Sequence, residues 1–342
     1  MFTILSETDI IVEKLGEDCA VENRYYIGAD VGGTKTAYGL FAQDQTLLKT
    51  YKDPSDKTLS AEAFSDNMVE RIKRILQEND IPLRSLGGLG VGMPSYLCFE
   101  EGIVVRTPNL PNFVNFPLRD YLHKRLGVPV ALDNDGNAAA LAEFRLGAGR
   151  GFPHMVYCAV STGLGTGIII DGRLFHGSYG LAGEAGHMIA NIEEGGLSCQ
   201  CGNHGCFESH ISGSKIVRHV AEKIARGEPT LMLELCGGNP ENLTAIHIEQ
   251  AYDAKDPMAA WALEHMARYL GTWAYNIYIF LNINCFVFGG GLTKFKALFQ
   301  RARAVFDGLN KNDLPVHFLF AEMTSDMGIV GAKEVLMAHL EK

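Results

Sequence analysis

At 342 residues with 47% apolar side chains, the chain is long enough for roughly two domains around a sizeable core, which excludes a disordered segment or a fibre. Thirty Lys and Arg against 40 Asp and Glu, a net charge of −10, disfavour broad contact with nucleic acid or an anionic membrane and point to small-molecule partners. Eight Cys in so long a chain are no small disulfide scaffold, and no charged-then-apolar leader opens the sequence, so a cytoplasmic protein with reduced thiols is expected.

Residues 1–24 read as an acidic extension: Glu7, Asp9, Glu13, Glu17, Asp18 and Glu22 stand against Lys14 and Arg24, around an apolar cluster at Ile10, Ile11 and Val12. From residue 25 an apolar run meets Gly32 and Gly33 and leaves through residues 37–41, which predicts strand, tight turn, strand. Residues 61–78 place Phe64, Met68, Ile72 and Ile75 at helical spacing, and a short apolar run at 86–91 ends at Gly92, Met93 and Pro94, giving helix and then strand. A strand at 128–132 and an Ala- and Leu-rich helix at 137–146 come next, with Asp133, Asn134 and Asp135 between them.

A second hairpin opens at 155–160, turns through 161–167 and resumes at 168–170. Strand, glycine turn and strand thus recur about 130 residues apart, which predicts two similarly built halves facing one cleft. A long helix from Pro257 to about Leu281 leads to a strand at 285–288, then Gly289, Gly290 and Gly291 and a further helix. The apolar stretch 273–288 is interrupted by Asn276, Asn282 and Asn284; it is too short to span a bilayer and is read as core. Strands interleaved with helices make an α/β protein, and the two hairpins make its sheets mixed.

Residues 28–36 nearly match the P-loop pattern, but Thr34 stands where that motif needs Lys, and Lys35 falls one place late. The residues after the turn read as strand rather than helix, so neither a P-loop nor a Rossmann phosphate site is met. The remaining reading is a turn whose backbone N–H and hydroxyl groups can wrap an anion, with Asp30 available to hold Mg2+ through water. One such turn is commonly only a turn. Two of them, with Gly289, Gly290 and Gly291, favour a nucleotide cleft.

Cys199, Cys201 and Cys206 are spaced C-x-C-x4-C, with Gly202 and Gly205 letting the backbone fold tightly between them. Three thiolates in that spacing fit zinc; the leading fourth ligand is His187, with His204 inside the loop as the local rival. Four protein ligands make a closed, structural site that pins the loop carrying Glu208. Cys19, Cys98, Cys158, Cys236 and Cys285 are scattered and read as small apolar residues.

Asp135 is expected at the end of a strand, where α/β proteins bind ligands, and a carboxylate there can accept a hydroxyl proton during phosphoryl transfer. Taken alone, residues 133–136 read more readily as a polar turn or helix cap. Asn134, Glu184, His187 and Glu208 add the hydrogen-bonding groups that a polyhydroxylated ligand requires, and Asn109, in a Pro-flanked loop, is another candidate.

Together these segments resemble the ROK family of sugar kinases and regulators, within the actin, hexokinase and heat-shock ATPase superfamily, over about residues 25–338. The most specific are Gly183-Glu184-Ala185-Gly186-His187 and the run from Cys199 through Cys206 to Glu208; Asp30-Val31-Gly32-Gly33-Thr34-Lys35, Leu132 to Asn137, Ser161 to Gly167 and Gly289-Gly290-Gly291 support them. The resemblance implies two ribonuclease-H-like domains around a hinged cleft: 25–140 with 328–342 as the small domain, 141–327 as the large one with the zinc knot. It implies that Asp30, Gly32, Gly33, Thr34 and Lys35, with Thr162, Gly163, Gly165, Thr166 and Gly167, hold ATP phosphates, and that Gly289, Gly290 and Gly291 lie near the adenosine. Asp135 would be the general base toward the 6-hydroxyl of a hexose. Asn109, Asn134, Glu184, His187 and Glu208 would grip the ring, and His187 would also ligate Zn2+ with Cys199, Cys201 and Cys206.

Family members are commonly homodimers, and one is expected here. The family often places Gly after Gly-x-Pro, whereas Ser95 succeeds Pro94 here, so the hexose is left open among glucose, N-acetylglucosamine, N-acetylmannosamine, allose and fructose. The family also contains sugar-responsive repressors whose DNA-binding segment needs positive charge, and the acidic residues 1–24 repel phosphate. An ATP-dependent hexokinase is therefore expected, with a non-catalytic sugar-binding regulator core as the alternative.

Overall fold

In the computed structural model, which describes residues 24–193, 196–312, 314–323 and 326–341, β1 (Tyr25–Val31) and β2 (Lys35–Phe41) pair antiparallel with Asp30 opposite Ala37, and β3 (Leu47–Pro54) extends the hairpin. Apart from Arg24, the acidic extension lies outside the described residues. α1 (Ala61–Gln77) begins where the Ser60 hydroxyl accepts the Ala63 N–H at 3.2 Å, an N-cap that satisfies an orphan donor. Its buried stripe is Phe64, Met68, Ile72 and Ile75, each worth about 1.5–3 kcal/mol on full burial.

β4 (Leu86–Gly92) runs parallel to β1. β5 (Tyr96–Cys98), β6 (Ile103–Arg106) and β7 (Val114–Phe116) make a small antiparallel sheet, of strands too short to reveal an alternating pattern in the sequence. α2 (Leu118–Leu126) then leads to β8 (Val130–Asp133), parallel to β4, so the first large sheet runs β3-β2-β1-β4-β8.

α3 (Asp135–Leu146) precedes β9 (Met155–Val160), which is antiparallel to β10 (Leu164–Ile170), and the short β11 (Arg173–Leu174). After a long loop come α4 (Glu208–Ile211), α5 (Gly213–Ala225), α6 (Leu231–Leu235), α7 (Ala245–Asp253) and α8 (Pro257–Leu281). β12 (Cys285–Gly289), α9 (Lys296–Leu309), β13 (His317–Phe320) and α10 (Met327–Leu340) complete the chain. The second large sheet runs β11-β10-β9-β12-β13. Each sheet is a hairpin continued by parallel strands, which is the repetition that the two glycine hairpins announced.

α8 is capped by Asp256, whose carboxylate accepts the Ala259 N–H at 2.9 Å, and stops at Asn282 in the left-handed region, a common helix terminator. The stretch 273–288 is not all core as expected. Trp273, Ala274, Ile277 and Tyr278 are buried, but Ile279 is 52% and Phe280 85% exposed, because the helical period turns them to the opposite face. Among the described residues no helix is long and apolar enough to cross a membrane.

α10 packs on β1, β4, β8 and α3, so the last helix joins the first sheet to the helix that leads to the second. Gly90 makes that approach possible: a Cβ there would run into the Ala332 carbonyl of α10.

Candidate active site

The floor of the site is the passage from β8 into α3. Sequence reading put Asp135 at the end of a strand; in the structure Asp133 ends it, Asn134 caps α3 by accepting the Gly136 N–H at 2.8 Å, and Asp135 is the first helical residue. The cap prevails because a short Asx side chain captures the orphan N–H groups of the first turn. The Asp135 carboxyl is pushed up to about 6, first by burial and then by the Asp30 and Glu184 carboxylates, against the pull of the Gly136 N–H. The residue is exposed to solvent at its surface, yet the protein atoms crowded around its carboxyl cost it hydration.

Across from Asp135, the segment carrying Glu184 is pinned at the backbone on both sides. The Thr166 hydroxyl donates to the Gly183 carbonyl and accepts the Ala185 N–H at 3.3 Å, while Trp273 Nε1 donates to the Ala185 carbonyl at 3.1 Å. Burial and the nearby Glu208 push the Glu184 carboxyl up, against the pull of His187.

The second glycine turn is shorter than expected. Gly165, Thr166 and Gly167 belong to β10, with Gly165 paired to Ala159, so only Ser161, Thr162 and Gly163 make the turn. The hydroxyl of Thr166 is engaged on Gly183 and Ala185 rather than free for an anion. Gly167 makes room for α3, since a Cβ there would lie 2.6 Å from that of Ala140.

In the first turn, Gly32 N–H donates to the Lys35 carbonyl at 2.9 Å, and Thr34 and Lys35 are exposed. Gly33 lies against the Asn109 side chain, 2.8 Å from where its own Cβ would be. Burial pushes the Asp30 carboxyl up, opposed by Lys35.

His187, Cys199, Cys201 and Cys206 present ligand atoms that all lie within 4.8 Å of one another. Cys201 and Cys206 sulfurs are 3.6 Å apart, and Cys199 Sγ is 3.4 Å from His187 Nδ1. One nitrogen and three sulfurs at such separations fit a tetrahedral Zn2+. His204 is outside the cluster, exposed, with Nδ1 on the Gly196 carbonyl at 3.1 Å. His187 Nε2 points the other way, 3.7 Å from the Glu184 carboxylate. Two residues past Cys206, Glu208 accepts the Leu164 N–H at 3.2 Å and lies beside Gly163.

Beyond that turn opens a cleft of about 550 Å³ lined by Ser161, Thr162, Gly213, Val217, Ala245, Ile246, Gly291, Leu292 and Phe295 among others. Its lining mixes apolar side chains such as Val217, Ile246, Leu292 and Phe295 with the hydroxyl-bearing Ser161, Thr162, Ser214 and Thr244, the make-up of a small-molecule pocket. Of the three consecutive glycines only Gly291 lines it; Gly289 is the buried last residue of β12, and Gly290 turns the chain at φ 87°. Most of the lining escaped sequence reading because two of its four segments, 213–217 and 243–249, carry no motif. Ser95, singled out in the sequence only for standing where the family often has Gly, accepts at its carbonyl from Asn134 Nδ2 at 3.2 Å, and His176, 2.7 Å from Asp133, was missed.

The ROK family model matches residues 26–338. A glucokinase of Halalkalibacterium halodurans is 32% identical over 91% of this chain and 94% of its own length. An N-acetyl-D-glucosamine kinase of Photobacterium profundum is 32% identical over 80% of this chain and 86% of its own. Among solved structures, a ROK family glucokinase from Streptomyces griseus in complex with glucose and AMPPNP superimposes with a TM-score of 0.73 at 29% identity, covering 91% of this chain and 98% of that one.

Proposed function

The chain belongs to the ROK family, and from that membership we propose that it is an ATP-dependent hexokinase that phosphorylates the 6-hydroxyl of a hexose. Sugar kinase activity as a class is supported by the glucokinase and N-acetylglucosamine kinase relatives. The observation that carries the finer reading is Asp135: a carboxyl at a helix start, facing Asp30 and Glu184, and pushed up to about 6.

A base poised near that value is ionised at neutral pH and can take the hydroxyl proton as the phosphoryl group arrives. MgATP, when bound, supplies that group and spreads the developing charge. Asp30, Gly32, Gly33, Thr34 and Lys35 would face the phosphates from the first turn, Thr162 and Gly163 from the second, with Gly291 beside the adenosine and Asp30 holding Mg2+ through water. Asn109, Asn134, Glu184, His187 and Glu208 would grip the ring. His187 can serve both roles because its two nitrogens face different ways, Nδ1 toward Cys199 and Nε2 toward Glu184. Zn2+, when bound, would supply a closed structural tie for the loop ahead of Glu208.

The two sheets form a small domain of residues 25–140 with 328–342 and a large domain of 141–327, closing on the ligands about a hinge. The exposed Ile279 and Phe280 give a second copy an apolar surface to cover, in keeping with a homodimer. None of the described cysteines is in a disulfide, in keeping with the reducing cytoplasmic setting proposed for the enzyme.

A coupled ADP-release assay over glucose, N-acetylglucosamine, N-acetylmannosamine, allose and fructose tests the proposal, with NMR of the product to locate the phosphate. One sugar should release ADP stoichiometrically and carry phosphate on its 6-oxygen. Sugar binding without ADP release would favour the regulator core instead.

A further inference from the structure

Asp133 is 2% exposed, and a carboxylate so buried must be met by donors. Oδ1 accepts the Asn134 N–H and Asn137 Nδ2, each at 2.8 Å, both from its own turn and the adjoining helix. Oδ2 is met by His176 Nε2 at 2.7 Å. That donor comes from a distant place in the chain, the loop after β11 that runs on to Glu184 and His187. Its ring is stacked on Phe99, centroids 3.7 Å apart and planes 15° from parallel, so the imidazole is fixed face-on while its edge meets the carboxylate. Because an ionised carboxylate only accepts, Nε2 carries the proton.

Asp135 itself has little to aim it. Among the described residues its carboxylate is met by backbone N–H groups of its own turn, that of Gly136 at 3.0 Å and its own, so its direction is set by the backbone of residues 133–136. We propose that His176 is a positioning residue for phosphoryl transfer: its bond to Asp133 holds the end of β8, and with it Asn134 and Asp135, in register with the loop that carries Glu184 and His187. The inference rests on the kinase reading above. Near-attack geometry is sensitive, and a misplacement of about 1 Å can cost up to about 10²-fold in rate.

Two variants separate positioning from bulk. The amide of His176→Gln falls where Nε2 stands and can still donate to Asp133, whereas that of His176→Asn falls short. With the hexose that the parent phosphorylates, His176→Gln should keep kcat within about threefold of the parent. His176→Asn should lose about tenfold in kcat with little change in KM for ATP, at similar zinc content and melting temperature. Equal kcat in the two variants would overturn the inference while leaving the kinase reading intact. A parent that phosphorylates none of the hexoses would overturn both.

Discussion

Glu208 accepts the Leu164 N–H at 3.2 Å, so the residue two places beyond a cysteine of the Cys3His cluster holds the strand end of the second glycine turn. That contact links the loop bearing the Cys3His cluster, proposed to hold zinc, to the turn proposed to face the ATP phosphates.

Removing a zinc ligand should therefore be felt at the nucleotide. Cys201→Ser should lose zinc, melt earlier and raise KM for ATP, read by metal analysis, thermal melting and steady-state kinetics. Intact protein that carries no zinc after purification in its presence would contradict the assignment.

The Asp135 carboxyl, pushed up to about 6, gives two linked pH effects. Turnover needs the ionised form, so kcat/KM should climb as pH rises through about 6. Stability runs the opposite way. The folded-state value lies above the unfolded one of about 3.9, so the group's contribution is fully present below about pH 4 and is lost as pH rises through about 6. Asp135→Asn, uncharged throughout, should then melt above the parent at pH 8, and the gain should shrink by pH 5. An equal difference at both pH values would contradict the raised carboxyl.

The apolar cleft beyond the second turn should hold the adenine. Val217→Trp, on its wall, should raise KM for ATP about tenfold or more while leaving KM for the hexose unchanged. A hexose effect as large as the ATP effect would mean that the cleft is not the nucleotide's.

Two halves that close on their ligands should compact in solution. Small-angle scattering with hexose and a non-hydrolysable ATP analogue together should give a smaller radius of gyration than the free protein. An unchanged radius would argue against closure.

The sequence carried the large-scale architecture because the hairpins, α1 and α8 are long enough for their apolar patterns to speak, although the caps Ser60 and Asp256 that begin the two helices went unread. Strands of three or four residues, such as β5 to β7, had no room to do so. At the site, the three cysteines converge because their spacing in a tight loop constrains them locally, and the bridge between Ile189 and Cys206 brings His187 to them. Glycines were the weaker guide. Gly167 serves the passage of α3, and Gly289 closes a strand, and a sequence cannot distinguish a glycine that admits a helix from one that admits a phosphate. His176 left no signal, since a single histidine in a loop has no periodic or spaced partner, and its meaning lies in Asp133, 43 positions away.

The most direct test of the central claim is turnover by Asp135→Asn beside its affinity for the hexose, measured by calorimetry. The account predicts hexose binding within a fewfold of the parent and kcat lower by about 10² or more; a variant that turns over at the parent's rate would contradict it.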